Sequence, residues 1–490
     1  MKKILIITTT IFILSISSLI TFSMVINSNN DTVKITENIL LGEKDIAKGI
    51  SIVSHTHYKN QLFWDTEYTI GADSEPKTEY RFYNTEQSET RNAPNYYFQL
   101  NTDLRYGCDF NTPAELQYGL SRVYKEIYDK CEIGKEINET IYLKDVYEYY
   151  PLRLEVYLPN VYWSGNDYEN LFNDEPGEEK YVTDKFIDFF KIPVFEDHKI
   201  DIGISKNLNG GIGIHSGTAN GSDEYDYFFY SSSTQTDDTV FFTIRNKTRG
   251  GQYADFSLVP GGYGIYSFKY YDSALLYETG IDADSLANVY PLDKEFQVEQ
   301  MEMSQNGKHL ILIGIKDRDT ILDVIDIETM TLVKEIVIEN KTAYNFKFYE
   351  EPLIRAASGD YTHIRNNIKS EQNFIILIFA EDFALVETSD DGNYTLEFIA
   401  PQMNYINDEY NFMDYSSKML YDGDRFIIID SLYSDELQTE LCGYYVAIYD
   451  KTGLVYYAEY ESSLDLNSRS NWFQYNCRTT NEAYSIYINE

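Results

Sequence analysis

Alternation of apolar and polar positions dominates most of the chain. Leu152, Leu154, Val156 and Leu158 alternate with Arg153, Glu155 and Tyr157, the two-residue period of a strand with one buried face. His309-Leu310-Ile311-Leu312-Ile313 and Ile321-Leu322-Asp323-Val324-Ile325-Asp326-Ile327 are apolar runs short enough for buried strands. Thr331 to Ile338 follows as an outer strand, with Lys334 and Glu335 for solvent. Ser304-Gln305-Asn306-Gly307-Lys308 predicts a tight turn before the first of these runs, because Asn-Gly supplies positive φ angles. Asp326 and Thr329 predict a second turn, in which both side chains bond backbone N–H groups.

The same order recurs further on. Asp422-Gly423-Asp424-Arg425 leads into Phe426-Ile427-Ile428-Ile429, then Tyr445 to Asp450, then the turn Lys451-Thr452-Gly453 and another strand. Phe374 to Phe379 and Tyr394 to Ile399 supply a more divergent third copy. Units of a few strands repeated along a chain are the pattern of radial propellers. One stretch breaks the strand period. Thr112-Pro113-Ala114-Glu115 has a capping residue, proline at the first helical position and an acid three after the cap. Leu116, Leu120, Val123 and Ile127 then fall on one face of a helix ending near Lys130. Asn173-Asp174-Glu175-Pro176-Gly177 predicts an exposed loop, and no element is expected from Leu171 to Glu179.

The fold class expected is therefore all-β and β-propeller-like, with roughly 7–8 irregular blades and one inserted helix at residues 112–130. The blade evidence is best over 298–460. A β-sandwich-like N-terminal domain with a smaller C-terminal propeller is the alternative.

The first segment has a different character. Lys2 and Lys3 precede an uncharged stretch from Ile4 to Ile26, and Asn27-Ser28-Asn29-Asn30-Asp31 follows. A basic start, an apolar run and a polar exit form an export signal. Lysines on the short side favour translocation of the remainder. Residues 1–26 read as a signal peptide cleaved after Ser23 or as a membrane anchor, 27–44 as a linker and 45–490 as the ectodomain.

Composition narrows the partners. Lys plus Arg number 40 against 79 Asp plus Glu, a net charge of −39. Such a surface repels nucleic-acid phosphate and anionic lipid, leaving cations and basic surfaces as attractions. The membrane is expected to be met only through the N-terminal segment. Four cysteines, Cys108, Cys131, Cys442 and Cys477, permit two disulfides in an exported chain. The local pairings Cys108–Cys131 and Cys442–Cys477 need the least rearrangement, and buried free thiols are the alternative.

Candidate chemistry is sparse. His55 and His57 sit two apart, so a strand places both on one face, where two imidazoles grip a transition metal if folding adds a third ligand such as Asp65 or Glu67. His198, His215, His309 and His363 are scattered. Asp282 with Asp284, Asp317 with Asp319, and Asp422 with Asp424 are loop acids of the kind that share calcium, but none has the spacing of a full calcium loop. Gly210 to Gly217 is glycine-rich without a following helix, which excludes a dinucleotide fingerprint. Ser216 lacks a nucleophile elbow. Trp64, Trp163 and Trp472 are candidate platforms for sugar rings, though core packing and sheet surface explain most such residues better.

The stretch Ser304 to Leu310, followed by Val324-Ile325-Asp326-Ile327-Glu328-Thr329 and Leu332-Val333-Lys334, resembles the blade consensus of bacterial β-propellers of the YVTN/WD40-like type. The chain also looks like uncharacterised exported proteins of Gram-positive bacteria. Irregular spacing and the lack of a Trp-Asp dipeptide depart from the consensus. Propellers host scaffolds and enzymes alike. The leading expectation is non-enzymatic, a cell-envelope binding or scaffold module recognising a protein, peptide or glycan. The alternative is a propeller hydrolase using calcium or paired carboxylates in a central channel.

Overall fold

The structure is a computed structural model that describes residues 2–27, 33–58, 62–72, 75–81, 97–102, 110–158, 161–166, 178–209, 211–218, 231–247, 251–271, 280–304, 306–341, 355–358, 373–379, 381–388, 393–402, 418–434, 439–463 and 479–488. Among them the strands form seven antiparallel sheets, and the chain is all-β and β-propeller-like. It divides into two compact units, Met1–Ala93 with Arg355–Glu490, and Pro94–Ile354, where the sequence reading has one ectodomain over 45–490.

The first unit opens with helix α1 (Lys2–Asn27). Among the described residues no helix is long and apolar enough to cross a membrane; the side chains of 2–6, 22, 23 and 25–27 lie outside them. The stretch read as a linker contains β1 (Ile35–Leu41). It is followed by β2 (Ile50–Tyr58), β3 (Leu62–Thr69) and β4 (Lys77–Arg81), which pair in order.

The second unit begins with two interleaved sheets. Strand β5 (Tyr97–Thr102) precedes α2 (Gly119–Lys130), β6 (Glu136–Tyr142), β7 (Leu152–Leu158) and β8 (Val161–Asn166). Then come α3 (Glu178–Phe189), β9 (Lys199–Lys206) and β10 (Ile212–Thr218). The sheet orders are β5-β7-β8 and β10-β9-β6, so neither is a simple meander. Helix α2 starts later than its sequence signature. Ala114–Leu116 is only a 3-10 turn, and Gln117 and Tyr118 are extended. Gly119 has φ of +55°, and a Cβ there would lie 2.1 Å from the Tyr147 hydroxyl oxygen. That hydroxyl accepts the Leu120 N–H at 2.9 Å. A tertiary acceptor has thus displaced Thr112 as the cap. The helix buries Leu120, Tyr124 and Ile127, whereas Leu116 is exposed.

Helix α3 is a second inserted helix, which the sequence reading missed. Val182, Phe186 and Phe190, four apart, are buried, the spacing of an amphipathic helix. They join an aromatic core in which Phe98 lies 4.6 Å from Phe242 and 4.9 Å from Phe268, ring centre to centre.

Two four-stranded meanders complete this unit. The first is β11 (Ser231–Gln235), β12 (Thr239–Ile244), β13 (Gly264–Tyr270) and β14 (Ile281–Pro291). The second is β15 (Gln297–Met303), β16 (His309–Lys316), β17 (Asp319–Asp326) and β18 (Thr331–Ile338). Here Asp326 plays the expected turn role, while the Thr329 hydroxyl meets the side chains of Asp326 and Thr331 instead of a backbone N–H. Asp326 Oδ1 accepts both the backbone N–H and the hydroxyl of Thr329 at 2.8 Å. Gly307 takes φ of +68°.

Back in the first unit, β19 (Arg355–Ser358), β20 (Asn373–Ile378), β21 (Asp382–Thr388) and β22 (Tyr394–Pro401) form another meander. The strand β21 went unrecognised between the two predicted ones. The sheet β23 (Lys418–Tyr421), β24 (Phe426–Ser434), β25 (Thr439–Asp450) and β26 (Gly453–Ser462) accepts β1 on its outer edge. The last strand, β27 (Thr479–Ile488), pairs with β2. The two ends of the chain thereby exchange strands. A buried polar network fastens β1: Glu37 accepts hydroxyl protons from Tyr460 at 2.8 Å and Tyr456 at 3.2 Å, and forms an ion pair with Lys44.

Candidate functional site

Strand β17 is buried along almost its whole length, yet it carries a carboxyl at its centre. Asp323 is only 8% exposed. Antiparallel register places it opposite Leu312 of β16 and Glu335 of β18. Directly paired residues share a face, so Asp323 lies on the side that packs Leu310, Leu312, Ile321 and Ile325 against Phe241 and Ile265. One of its oxygens, Oδ1, has no hydrogen-bond partner. An ionised group in such a place loses its hydration without replacement. Burial, and then the charge of Glu335, push the Asp323 carboxyl up to about 6, against a weaker opposing pull from Lys316.

Two neighbours make this a constellation. Glu335 is exposed on the edge strand, so the pair runs from the apolar interior to solvent. Tyr290 of β14 is partly buried against the same apolar cluster. Its hydroxyl is raised by burial and then by the charges of Asp323 and Glu335. A carboxyl poised to carry a proton beside a solvated carboxylate and a phenol has the parts of a general acid–base centre.

The acids singled out by spacing are occupied differently. Asp284 accepts from the Tyr181 hydroxyl and from Lys185, each at 2.7 Å, and the Lys185 bond leads in holding its carboxyl below the usual range. Asp319 accepts the Asn340 N–H at 2.8 Å. Asp422 accepts from the backbone N–H of Arg425 at 2.7 Å and from its Nε at 2.9 Å. These carboxylates hold turns and ion pairs. Among the described residues no three His, Cys, Asp or Glu side chains group as metal ligands.

His55 and His57 lie on β2 in register with Asp65 and Phe63 of β3, and their side chains are outside the described part. His198 is buried, with Nδ1 3.0 Å from the Tyr150 hydroxyl, and burial lowers it to about 4. His309 opens β16, where its N–H donates to the Ser304 hydroxyl at 2.9 Å. His215 and Ser216 lie on β10, opposite Gly203 and Ile202 of β9. The glycine-rich run is thus a hairpin strand.

Cys131 is a free buried thiol whose Sγ donates to the carbonyls of Lys135 at 3.3 Å and Ile204 at 3.4 Å. Of the two expectations for this residue, a bridge to Cys108 or a buried free thiol, the described geometry of Cys131 is that of the free thiol. Cys108 and Cys477 lie outside the described residues, as does the side chain of Cys442 on β25. Trp472 and His363 are also outside them, as are the side chains of Trp64 and Trp163.

Asp323 escaped notice in the sequence because it sits inside a run read as apolar. The available signal was its position. An acid flanked by Ile321, Leu322, Val324 and Ile325 in a central strand is the anomaly, while acids in loops are common.

No protein-family model and no curated protein sequence matches the chain. Solved structures give distant likenesses. A protein from Lactobacillus plantarum is 9% identical with a TM-score of 0.24, covering 52% of this chain and 62% of its own. A proposed 6-phosphogluconolactonase from Bacteroides fragilis is 6% identical with a TM-score of 0.28, covering 90% and 98%. The periplasmic gluconolactonase of Pseudomonas aeruginosa is 8% identical with a TM-score of 0.22, covering 54% and 64%. The chain thus spans less than two thirds of the first and third of these. At such scores they add nothing to what strand pairing establishes. What the chain's own residues establish is a set of β-meanders, one of which carries a buried carboxyl beside an exposed one.

Proposed function

We propose that the chain works outside the cytoplasm as a hydrolase on a propeller-like scaffold, with Asp323 and Glu335 as its acid–base pair. The observation that supports this is the buried Asp323 carboxyl, one oxygen without a partner, opposite Glu335 across β17 and β18. Protonated Asp323 gives its proton to the leaving oxygen of a C–O bond, and ionised Glu335 takes one from the attacking water. One bond breaks, one forms, and the pair exchanges roles to reset. Export rests on Lys2 and Lys3 ahead of the uncharged stretch from Ile4 to Ile26. The test is hydrolysis of chromogenic esters, lactones and glycosides by the full chain in detergent. Activity in one class, with a pH limb near 6 and a loss of about 10²-fold or more in Asp323→Asn, is expected. Equal rates in Asp323→Asn and wild type would sink the proposal.

A second reading rests on the edge strand β18, where Leu332, Val333 and Val337 are 44%, 47% and 42% exposed. An apolar sheet edge accepts an extended peptide as an added strand. In that case the chain binds an envelope protein or peptide. Proline in place of Val333 would then abolish capture of that partner while leaving hydrolysis unchanged.

A further inference from the structure

We propose that Asp323, Glu335 and Tyr290 bind a primary ammonium group carried on an aliphatic stem. Register sets Asp323 of β17 directly opposite Glu335 of β18, which brings their Cβ atoms to about 4.5–5.5 Å. Like charges so placed repel one another. The lysine whose charge reaches Asp323 is Lys316, and its ammonium is bonded elsewhere, to Asp293 Oδ2 at 2.7 Å. Asp323 is more than nine-tenths buried, and its Oδ1 has no hydrogen-bond partner. A buried carboxylate oxygen without a donor is costly, and a ligand that brings both a donor and a positive charge removes that cost. Glu335 is exposed on the outer strand of the sheet, so the pair opens to solvent on that side.

The surroundings select the cation. Calcium takes about six to eight oxygen ligands, and among the described residues no three His, Cys, Asp or Glu side chains group as metal ligands. A primary ammonium needs three acceptors, one for each N–H. Asp323 Oδ1, a Glu335 oxygen and the Tyr290 hydroxyl supply that number. Tyr290 lies near enough to both carboxyls for their charges to add to the larger effect of burial in raising its hydroxyl, and phenol rings attract cations in their own right. The stem has its own lining. The carboxyl pair is flanked on the same face by the pairs Ile321–Val337 and Ile325–Leu332, of which Val337 and Leu332 are exposed. A methylene chain can lie on either one with its charged end between the carboxyls, as a lysine stem covers apolar surface.

Proton and ammonium compete for one oxygen. The charged or titratable groups facing Asp323 are Glu335 of β18, Tyr290 of β14 and Lys316 of β16. From β12, β13 and β15 the same cluster brings Phe241, Ile265 and Met301, which carry no charge. Burial first, and then Glu335, push the Asp323 carboxyl up to about 6, so an ammonium has to displace a proton below that pH. Affinity should therefore rise as pH rises through about 6 and level off above it. Binding needs no turnover. Its consequence for catalysis rests on the acid–base reading: a bound ammonium takes the place of the Asp323 proton and inhibits.

The probe is n-pentylamine, titrated calorimetrically into the full chain in detergent at fixed ionic strength. Tetramethylammonium, which has neither N–H donor nor stem, reports the bare attraction of a chain with net charge −39. Pentylamine should bind at one site per chain and raise the melting temperature. Asp323→Asn and Glu335→Gln should each weaken it by about tenfold or more; the exposed Glu335 position keeps the test open should Asp323→Asn fail to fold. Nα-acetyl-lysine methylamide separates the sources, since a site for a lysine side chain takes it as well as pentylamine and a site for a free amine does not. Binding with no hydrolysis of any ester, lactone or glycoside would uphold this site and overturn the acid–base reading. Hydrolysis that depends on Asp323 but is unmoved by saturating pentylamine would do the reverse. Pentylamine held no better than tetramethylammonium, or held equally by wild type and both variants, would overturn the proposal.

Discussion

Between Gln297 and Ile338 the chain lays down four strands in order, each bonded to the next. Between Tyr97 and Thr218 it interleaves two sheets and inserts α2 and α3 between their strands. The first region is assembled from local turns. In the second, β7 with β8 and β9 with β10 are hairpins, but β5 pairs with β7 and β6 with β9, so helices and loops must close before β5 and β6 find their partners. Their interiors differ accordingly. The interleaved region is filled by aromatic rings from distant positions, with Phe98, Phe186, Phe242 and Phe268 in mutual contact. Its buried His198 is matched by the Tyr150 hydroxyl. The meander is aliphatic and regular, and it is there that a carboxyl stands with an oxygen unmatched. Regularity makes the exception visible: a strand that needs no polar group for its own assembly carries one for another reason, or at a cost to stability.

The largest expected effect would test the aromatic half of that contrast. Phe186→Ala removes a ring that packs on Phe98 and Phe268, and should destabilise the chain by about 3–5 kcal/mol, read from denaturant unfolding. A loss below about 1 kcal/mol would show that α3 is not needed to fill this core.

A smaller effect of opposite sign is expected in the meander. Asp323 holds its proton more tightly folded than unfolded, so its contribution to stability is complete below about pH 4 and is lost as pH rises through about 6. Asp323→Asn should therefore stabilise the chain at pH 8 by about 1–2 kcal/mol, less than the full shift implies because solvent screens the side open at Glu335. The variant should also flatten stability between pH 4 and 6. His198 contributes the reverse slope, since its pKa is lowered to about 4 by burial and its neutral form is lost on acidification. The difference between variant and wild type isolates Asp323. A destabilising Asp323→Asn would mean that the carboxylate has a partner in the folded chain.

The smallest effect concerns the turn. Asp326→Ala removes two hydrogen bonds to Thr329 and should cost about 1 kcal/mol, measurable as a shift in unfolding midpoint. An equal loss from Asp323→Ala and Asp326→Ala would erase the distinction between a carboxylate that is matched and one that is not.

The legibility of these regions differs for the same reason. β7 and β18 begin and end where alternation places them, at Leu152–Leu158 and Thr331–Ile338, because a two-residue period is a local property. Helix α2 ends at Lys130 as its sequence indicates but starts at Gly119 instead of after Thr112, because Tyr147, far along the chain, supplies its first acceptor. Helix α3 has a readable period in Val182, Phe186 and Phe190, but it follows directly on the run Asn173 to Gly177, whose composition predicts a loop. The acid pairs two apart in sequence were visible, and Asp323 with Glu335, twelve residues apart across a bend, was not.

Alternation and turn residues determined by themselves that the chain is rich in strands and where many of those strands lie. Each of these acts over a few residues, and its free energy is fixed by neighbours in the chain. Only the tertiary structure decided that β1 would cap β26 and β27 would cap β2, and that Asp323 would face Glu335. Antiparallel register converts distance along the chain into adjacency on a face, and no local pattern specifies which strand becomes the partner.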